Sequence, residues 1–322
     1  MDLVYMNNQK VDIGVMHGCK FDLAFGSGEN DFQITVDSAN HVLRESYYVY
    51  MEGTEYGGII DRVQVITAAN EIRYRGRTWH GLLDSKVIQP DPGDDYLIIS
   101  GEANTVLQFL IDRYELSGIF KANTQHSGIY LSGYKMNRYI SCYAGICKML
   151  AAFGAKLKIS YMSGFVSLSA IPIIDHTHND EYDSSQISLD ITKNYAPLNH
   201  LICLGQGDLA ARAVIHLYTD KYGNVSYTQT QFGIYEVCAP YDYSSAESLE
   251  ELERGGREIL KEAYASDVIR MSLNPTIRYD VGDIVGAREH ITGISISSVI
   301  TKKIVSVSGG ETRVSYTVGN LE

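Results

Sequence analysis

The chain has 322 residues, a mass of 35.8 kDa and a formal net charge of −12. With 45% hydrophobic and 20% charged residues it is globular and not disordered, and its acidic balance argues against a protein that grips nucleic acid or an anionic membrane, since either wants a basic face. The length exceeds one ordinary core, so two or three domains are expected.

Residues 1–20, MDLVYMNNQKVDIGVMHGCK, have neither a basic start nor an uninterrupted apolar core, so no signal peptide is expected. No apolar run approaches the ~18–20 residues of a membrane span, and the chain is expected to fold in a cytosol. Cys19, Cys142, Cys147, Cys203 and Cys238 are odd in number and scattered, which predicts buried free thiols. The 24 tyrosines against one tryptophan suit sheet faces and subunit contacts, where the ring packs and the hydroxyl stays hydrogen-bonded.

In chain order, Cys19, Phe21, Leu23 and Phe25 alternate with polar residues, GSGEN turns the chain, and Phe32, Ile34 and Val36 return, a hairpin with one buried face. Over 47–83 the run YYVYM, the corner EGTEYGGIID and the stretch ending in GRTWHGLL read as sheet, with Gly53, Gly57, Gly58 and Gly76 where bulges or bends are wanted. The turn-rich QPDPGDD closes a first β domain at residue 94.

Val106, Leu107, Leu110, Ile111 and Tyr114 then recur at helical spacing, as do Ile140, Tyr143, Ala144, Cys147 and Ala151, and a hairpin follows with Leu157, Ile159 and Tyr161. Residues 95–175 therefore read as a small α+β domain. Sheet resumes from Ile187 and runs through ARAVIHLY, a DKYGN turn and VSYTQT. A helix over 244–266 follows, opened by a Ser244–Glu247 capping box, with Gly256 on its apolar face packed closely against another backbone. Residues 176–243 and 267–322 are expected to make a second β domain into which this helix is inserted. The fold class is mainly β with an α+β insert: two tube-like β-barrel domains flanking the small α+β domain.

The last segment is a faint copy of the first. Adding 240 pairs Gly53 with Gly293, Ile60 with Ile300, Val65 with Val305, Glu71 with Glu311 and Arg73 with Arg313, a self-similarity for the fold to answer.

Candidate chemistry is sparse. In IIDHTHNDEYD, His176 and His178 with Asp180, Glu181 and Asp183 offer imidazole and carboxylate for zinc or manganese, but the segment reads as a polar linker and no metal is assigned. Gly205 and Gly207 in LGQGDLAAR, with Arg212 for an anion, lack the third glycine and βαβ context of a nucleotide loop, so a turn or bulge is favoured. There is no GxSxG elbow, and no catalytic residue or cofactor is expected. Trp79 and His80 with Tyr47, Tyr48, Tyr50 and Tyr56 are the aromatic set a sugar would stack on; strand packing is the simpler use.

The strings EGTEYGGIID, GRTWHGLL, ARAVIHLYTDKYGN, YDYSSAESLEEL and YDVGDIVGARE together resemble the tail hub (baseplate hub, tail-associated) proteins of phages and prophages of Gram-positive hosts, from about residue 20 onward. The resemblance implies a structural, non-enzymatic protein of the virion tail tip, assembled in the host cytoplasm. It implies a homotrimer whose paired β domains form a pseudo-sixfold ring around the DNA channel. Implied partners are distal tail or tail tube proteins, the tape measure protein, and a spike or tail-tip lytic protein, with DNA only passing through a channel that an acidic lining would suit. A tail-associated metal-dependent hydrolase and a carbohydrate-binding receptor module are the alternatives.

Overall fold

A computed structural model of the protein describes residues 3–177, 182–183, 189–192, 194–264, 268–271, 278–288, 291–292 and 295–319. They fall into two compact units, Met1–Leu189 with Met271–Glu322, and Asp190–Arg270.

The first unit opens with β1 (Leu3–Met6), β2 (Asp12–Met16), β3 (Lys20–Gly26), β4 (Asp31–Asp37), β5 (Tyr48–Tyr50), β6 (Gly57–Ile66) and β7 (Glu71–Thr78). Alternation sets the faces: Phe21, Leu23, Phe25, Phe32, Ile34 and Val36 are buried, and Asp22, Gln33 and Thr35 lie on the other side. The sheet reading of GRTWHGLL stops at Thr78. Its hydroxyl accepts from the Gly81 N–H at 3.2 Å and caps helix α1 (Trp79–Asp84), a local bond that outcompetes strand continuation.

Next come β8 (Ile98–Glu102), α2 (Ala103–Arg113), β9 (Phe120–Ala122), β10 (Tyr130–Lys135), α3 (Cys142–Ala151), β11 (Ala155–Met162) and β12 (Phe165–Pro172). The predicted α2 stripe is buried through Val106, Leu107, Leu110 and Ile111, whereas on α3 the buried face is Tyr143, Ile146, Met149 and Leu150, and the predicted Ile140, Ala144, Cys147 and Ala151 are half-buried beside it. Glu102 and Ser141 cap the two helices by accepting from Thr105 and Ala144. Partial burial pushes the Glu102 carboxyl up, but donors from Ser127, Thr105 and Asn104 outweigh it and hold the group at about 2. The core of this block also takes in Tyr50, Trp79 and Leu83, so residue 94 separates elements but not hydrophobic cores.

After β13 (Tyr182–Asp183), the chain runs through β14 (Leu189–Thr192), β15 (His200–Leu204), β16 (Val214–Thr219), β17 (Val225–Ser226), β18 (Cys238–Asp242), α4 (Leu249–Tyr264) and β19 (Val268–Met271). In the second unit, α4 packs on a sheet of order β17-β16-β15-β18, burying Leu252 and Leu260 with Leu201, Cys203 and Leu217. The helix starts later than its predicted box: Ser248 Oγ accepts from the Glu251 N–H, and the Glu251 carboxylate accepts from the Glu247 N–H. Gly256 is closely packed as expected, though against side chains. A Cβ there would lie 2.5 Å from Cys203 Sγ and 2.8 Å from Leu217.

Finally β20 (Ile284–Arg288), β21 (Ser295–Ser308) and β22 (Glu311–Gly319) return to the first unit. Residues 302–307 of β21 pair with β3, Lys302 opposite Gly26 and Val307 opposite Phe21. The grouping of 267–322 with 176–243 therefore differs from the strand pairing, which seats Val305 in the core of β3, β4 and β7. Lys156 on β11 fastens the segment, its Nζ donating to Asp283 at 2.5 Å and Asp280 at 3.1 Å. The principal sheet runs β13-β20-β21-β3-β4-β7-β6-β5-β1-β2 with β22 beside β21. Among the described residues no sheet closes into a barrel: of the second barrel foreseen from the sequence, β20, β21 and β22 join the open principal sheet and β15 to β18 form a separate four-stranded one. Cys142 and Cys203 are buried as expected, whereas Cys238 is exposed. No described helix is long and apolar enough to cross a membrane.

Candidate assembly surface

The self-similarity in sequence is a repeat in backbone hydrogen bonding. In the first unit's early segment, Tyr48, Val49 and Tyr50 of β5 lie opposite Ile59, Gly58 and Gly57 of β6. In its late segment, Ile284, Val285 and Gly286 of β20 lie opposite Val299, Ser298 and Ser297 of β21. Ile60 donates to Tyr47 O and accepts from the Ser46 N–H; Ile300 donates to Asp283 O and accepts from the Gly282 N–H. On the other edge the β6–β7 register shifts between Ile60 and Arg62, and the β21–β22 register shifts between Ile300 and Lys302. A bulge at the same offset of 240 in both copies is specific, because an inserted residue fixes where each strand bends. The copies part at the turn, four residues over 67–70 in one and Gly309-Gly310 in the other.

The first bulge explains its glycines. A Cβ on Gly76 would sit 1.8 Å from Ile59 O, and one on Gly58 2.0 Å from Arg77 O, so β6 and β7 approach closer there than any side chain permits.

The polar face of this sheet is concave and holds a trough of about 810 Å³ lined by residues including Asp22, Asp31, Asp61, Arg62, Arg75 and Arg77. Cross-strand pairing puts Lys20, Arg62, Arg73, Arg75, Arg77, Lys302 and Arg313 on the face with Asp22, Asp31, Asp37, Asp61, Glu71 and Glu311, and Glu29 lines the trough paired with Lys302, seven positive to seven negative. Arg77 clasps Asp61 through Nε at 2.9 Å and NH2 at 2.9 Å. The acidic excess of the chain is not on this face.

Behind the sheet, the copies are pinned by a buried ion pair. Lys303 Nζ donates to Glu55 Oε1 at 2.7 Å, with the Tyr56 and Tyr316 rings within 6 Å. Burial alone would lower the Lys303 ammonium, but the Glu55 carboxylate raises it above the ordinary lysine range. His80 lies beside them, stacked on Phe25 with centroids 4.1 Å apart. Burial, with Lys303 adding to it, drops its imidazole to about 3, so the ring is neutral.

The residues singled out in sequence fare differently. Trp79, Tyr50 and His80 are buried and Tyr47, Tyr48 and Tyr56 half-buried; Trp79 stacks on Tyr48 and Tyr161, and Tyr50 on Tyr161 at 3.9 Å. The rings are committed to packing, which leaves no platform for a sugar. His176 packs edge-on against Tyr279, its Nε2 3.6 Å from Asp283. His178, Asp180 and Glu181 lie outside the described residues, and Asp183 is described by backbone alone. Gly205, Gly207 and Arg212 form a hairpin turn in which the Arg212 guanidinium donates to Gly205 O and Asp242, so its charge is already spent.

Sequence reading missed one cluster. His200 shares its face of the second unit's sheet with Cys238 directly across the parallel β15–β18 pair, and its two ring nitrogens meet Glu236 at 2.5 Å and His216 at 2.8 Å. The ligand atoms of His200, Glu236 and Cys238 lie within 4.8 Å of one another, a set soft enough for zinc. Both His200 nitrogens are engaged, so an ion would first have to break one of these two hydrogen bonds. Only strand topology brings these residues together, and no sequence spacing announces it.

No family model matches the chain, and no curated protein matches its sequence. Solved structures do. Prophage tail protein gp18 from Listeria monocytogenes EGD-e matches with a TM-score of 0.56 and 12% identity over 99% of this chain and 94% of that one. A tail protein from Neisseria meningitidis MC58 matches with a TM-score of 0.54 and 12% identity, covering 99% and 96%. The 43 kDa tail protein of prophage MuSo2 from Shewanella oneidensis matches with a TM-score of 0.59 and 9% identity, covering 100% and 99%. The fold is thus the mainly β fold of phage and prophage tail proteins, and it is not confined to Gram-positive hosts.

Proposed function

We propose that the protein is a structural, non-enzymatic hub of a phage or prophage tail tip. Two similar β units per chain and three chains per ring would present six similar surfaces, matching a sixfold tail tube on one side and a threefold tip or spike on the other. The observation that carries this reading is the repeated β5-β6-β7 and β20-β21-β22 backbone, down to its bulge. The fold likeness to tail proteins supports it; the narrower Gram-positive origin rests on the sequence strings alone.

In this reading the concave face lines the channel. Its charges nearly cancel and pair with one another, so DNA passes with few net phosphate contacts. Partners are tube, tape measure and tip proteins, and lytic chemistry resides in one of them. Light scattering on the purified protein tests the ring: a particle of three times 35.8 kDa is expected, and a strict monomer at all concentrations overturns it.

A further inference from the structure

The two copies of the repeated unit differ at one edge. Residues 302–307 of β21 are covered by β3, and Val305 is 0% exposed. The equivalent stretch of β6, residues 62–67, has β7 on one side and no described strand on the other. Val65, the counterpart of Val305, is 61% exposed, and so is Val63. Neither belongs to the polar face. Val65 lies across from Ile72 and Val63 across from Tyr74, both buried, so the two valines continue the core face beyond the point where the sheet runs out.

Backbone polarity agrees. Thr301 O accepts from the Ser27 N–H of the covering chain, and the two-residue period turns the backbone of 303, 305 and 307 the same way. By the offset of 240, Val63 and Val65 direct their N–H and C=O groups outward from β6, while Arg62, Gln64 and Ile66 serve the ladder to β7. An edge with unpaired polar backbone and two bare valines, lacking a proline or a lysine between them, is a template for another strand.

We infer that this edge is the subunit junction, and that its occupant is a second copy of this chain. The inference rests on the ring reading above and names the strand by which the ring closes. The template is internal: β21 on β3 is the same junction made within one chain. The run β21-β3-β4-β7-β6 alternates in direction at every step, so a strand laid on a neighbour's β6 as β3 lies on β21 runs antiparallel to it, and the contact is head to tail. The incoming strand spans 62–67 and sets an apolar side chain against Val65, as Leu23 stands against Val305.

Val65→Pro tests this, because it deletes one outward N–H and spares the β7 ladder. The wild type is expected to assemble, and the variant to require about tenfold or more protein to do so, with its cooperative unfolding retained. Val65→Lys, which keeps the N–H but places a charge against the incoming strand, is expected to behave likewise. Amide exchange at Val63 should be slow in assembled protein and fast in either variant. If the wild type assembles and both variants assemble equally well, the edge is not the junction and the ring reading survives. A wild type that never assembles removes both.

Discussion

The β5-β6-β7 and β20-β21-β22 units share a hydrogen-bond plan and almost nothing else. Opposite Ile60 at the first bulge stands Gly76; opposite Ile300 at the second stands Val318. Where the first unit exposes Val63, the second buries Lys303 on Glu55. Register is set by counting backbone groups and tolerates no partial change, since a one-residue slip turns every side chain over. Side chains can drift as long as each pocket stays filled and each buried charge stays paired. Duplicated units should therefore keep their bulges long after their residues have diverged.

The bulge gives the largest contrast. Gly76→Val drives a Cβ into Ile59 O and is expected to destabilise the protein by about 4 kcal/mol or more in urea unfolding, whereas Val318→Gly costs about 1 kcal/mol. Similar losses at the two sites would mean that the bulges are not equivalent in geometry. Next comes the buried pair. Lys303→Met strands the Glu55 carboxylate and should cost about 3–5 kcal/mol, with much of it recovered on adding Glu55→Gln. The same methionine at exposed Val63 should change stability by no more than about 0.5 kcal/mol.

The pH dependence, smaller per unit of pH, sharpens the contrast at His80. The unfolded imidazole takes up a proton near 6.5 and the folded one only near 3, so the unfolded state binds more protons between these values. Stability from this group is present above pH 6.5 and is lost as pH falls toward 3, at up to about 1.4 kcal/mol per unit. His80→Gln should flatten that slope in denaturation series at stepped pH. An unchanged slope would show that other groups set the acid limit.

Much of this was legible in the residues. Alternation located the β3–β4 hairpin, helical spacing located α2 and α3, and the offset pairing Ile60 with Ile300 and Val65 with Val305 pointed to a repeat that the backbone bears out. What failed to show was non-local. No pattern says that β21 pairs with β3 across most of the chain, or that His200 meets Cys238 through a parallel pairing, because local periodicity carries no information about partners. The short helix at Trp79 was missed for a different reason. Its aromatic residues favour strands, and one threonine hydroxyl decides against them.

The pairing of β21 with β3 also has a consequence for biosynthesis. A ribosome releases β3 long before the strand that covers it, so until residues 302–307 emerge the nascent chain carries a naked hydrophobic border. Products cut short before residue 302 leave that border unsealed. Proteases and chaperones would meet it, and chains cut short there would be removed.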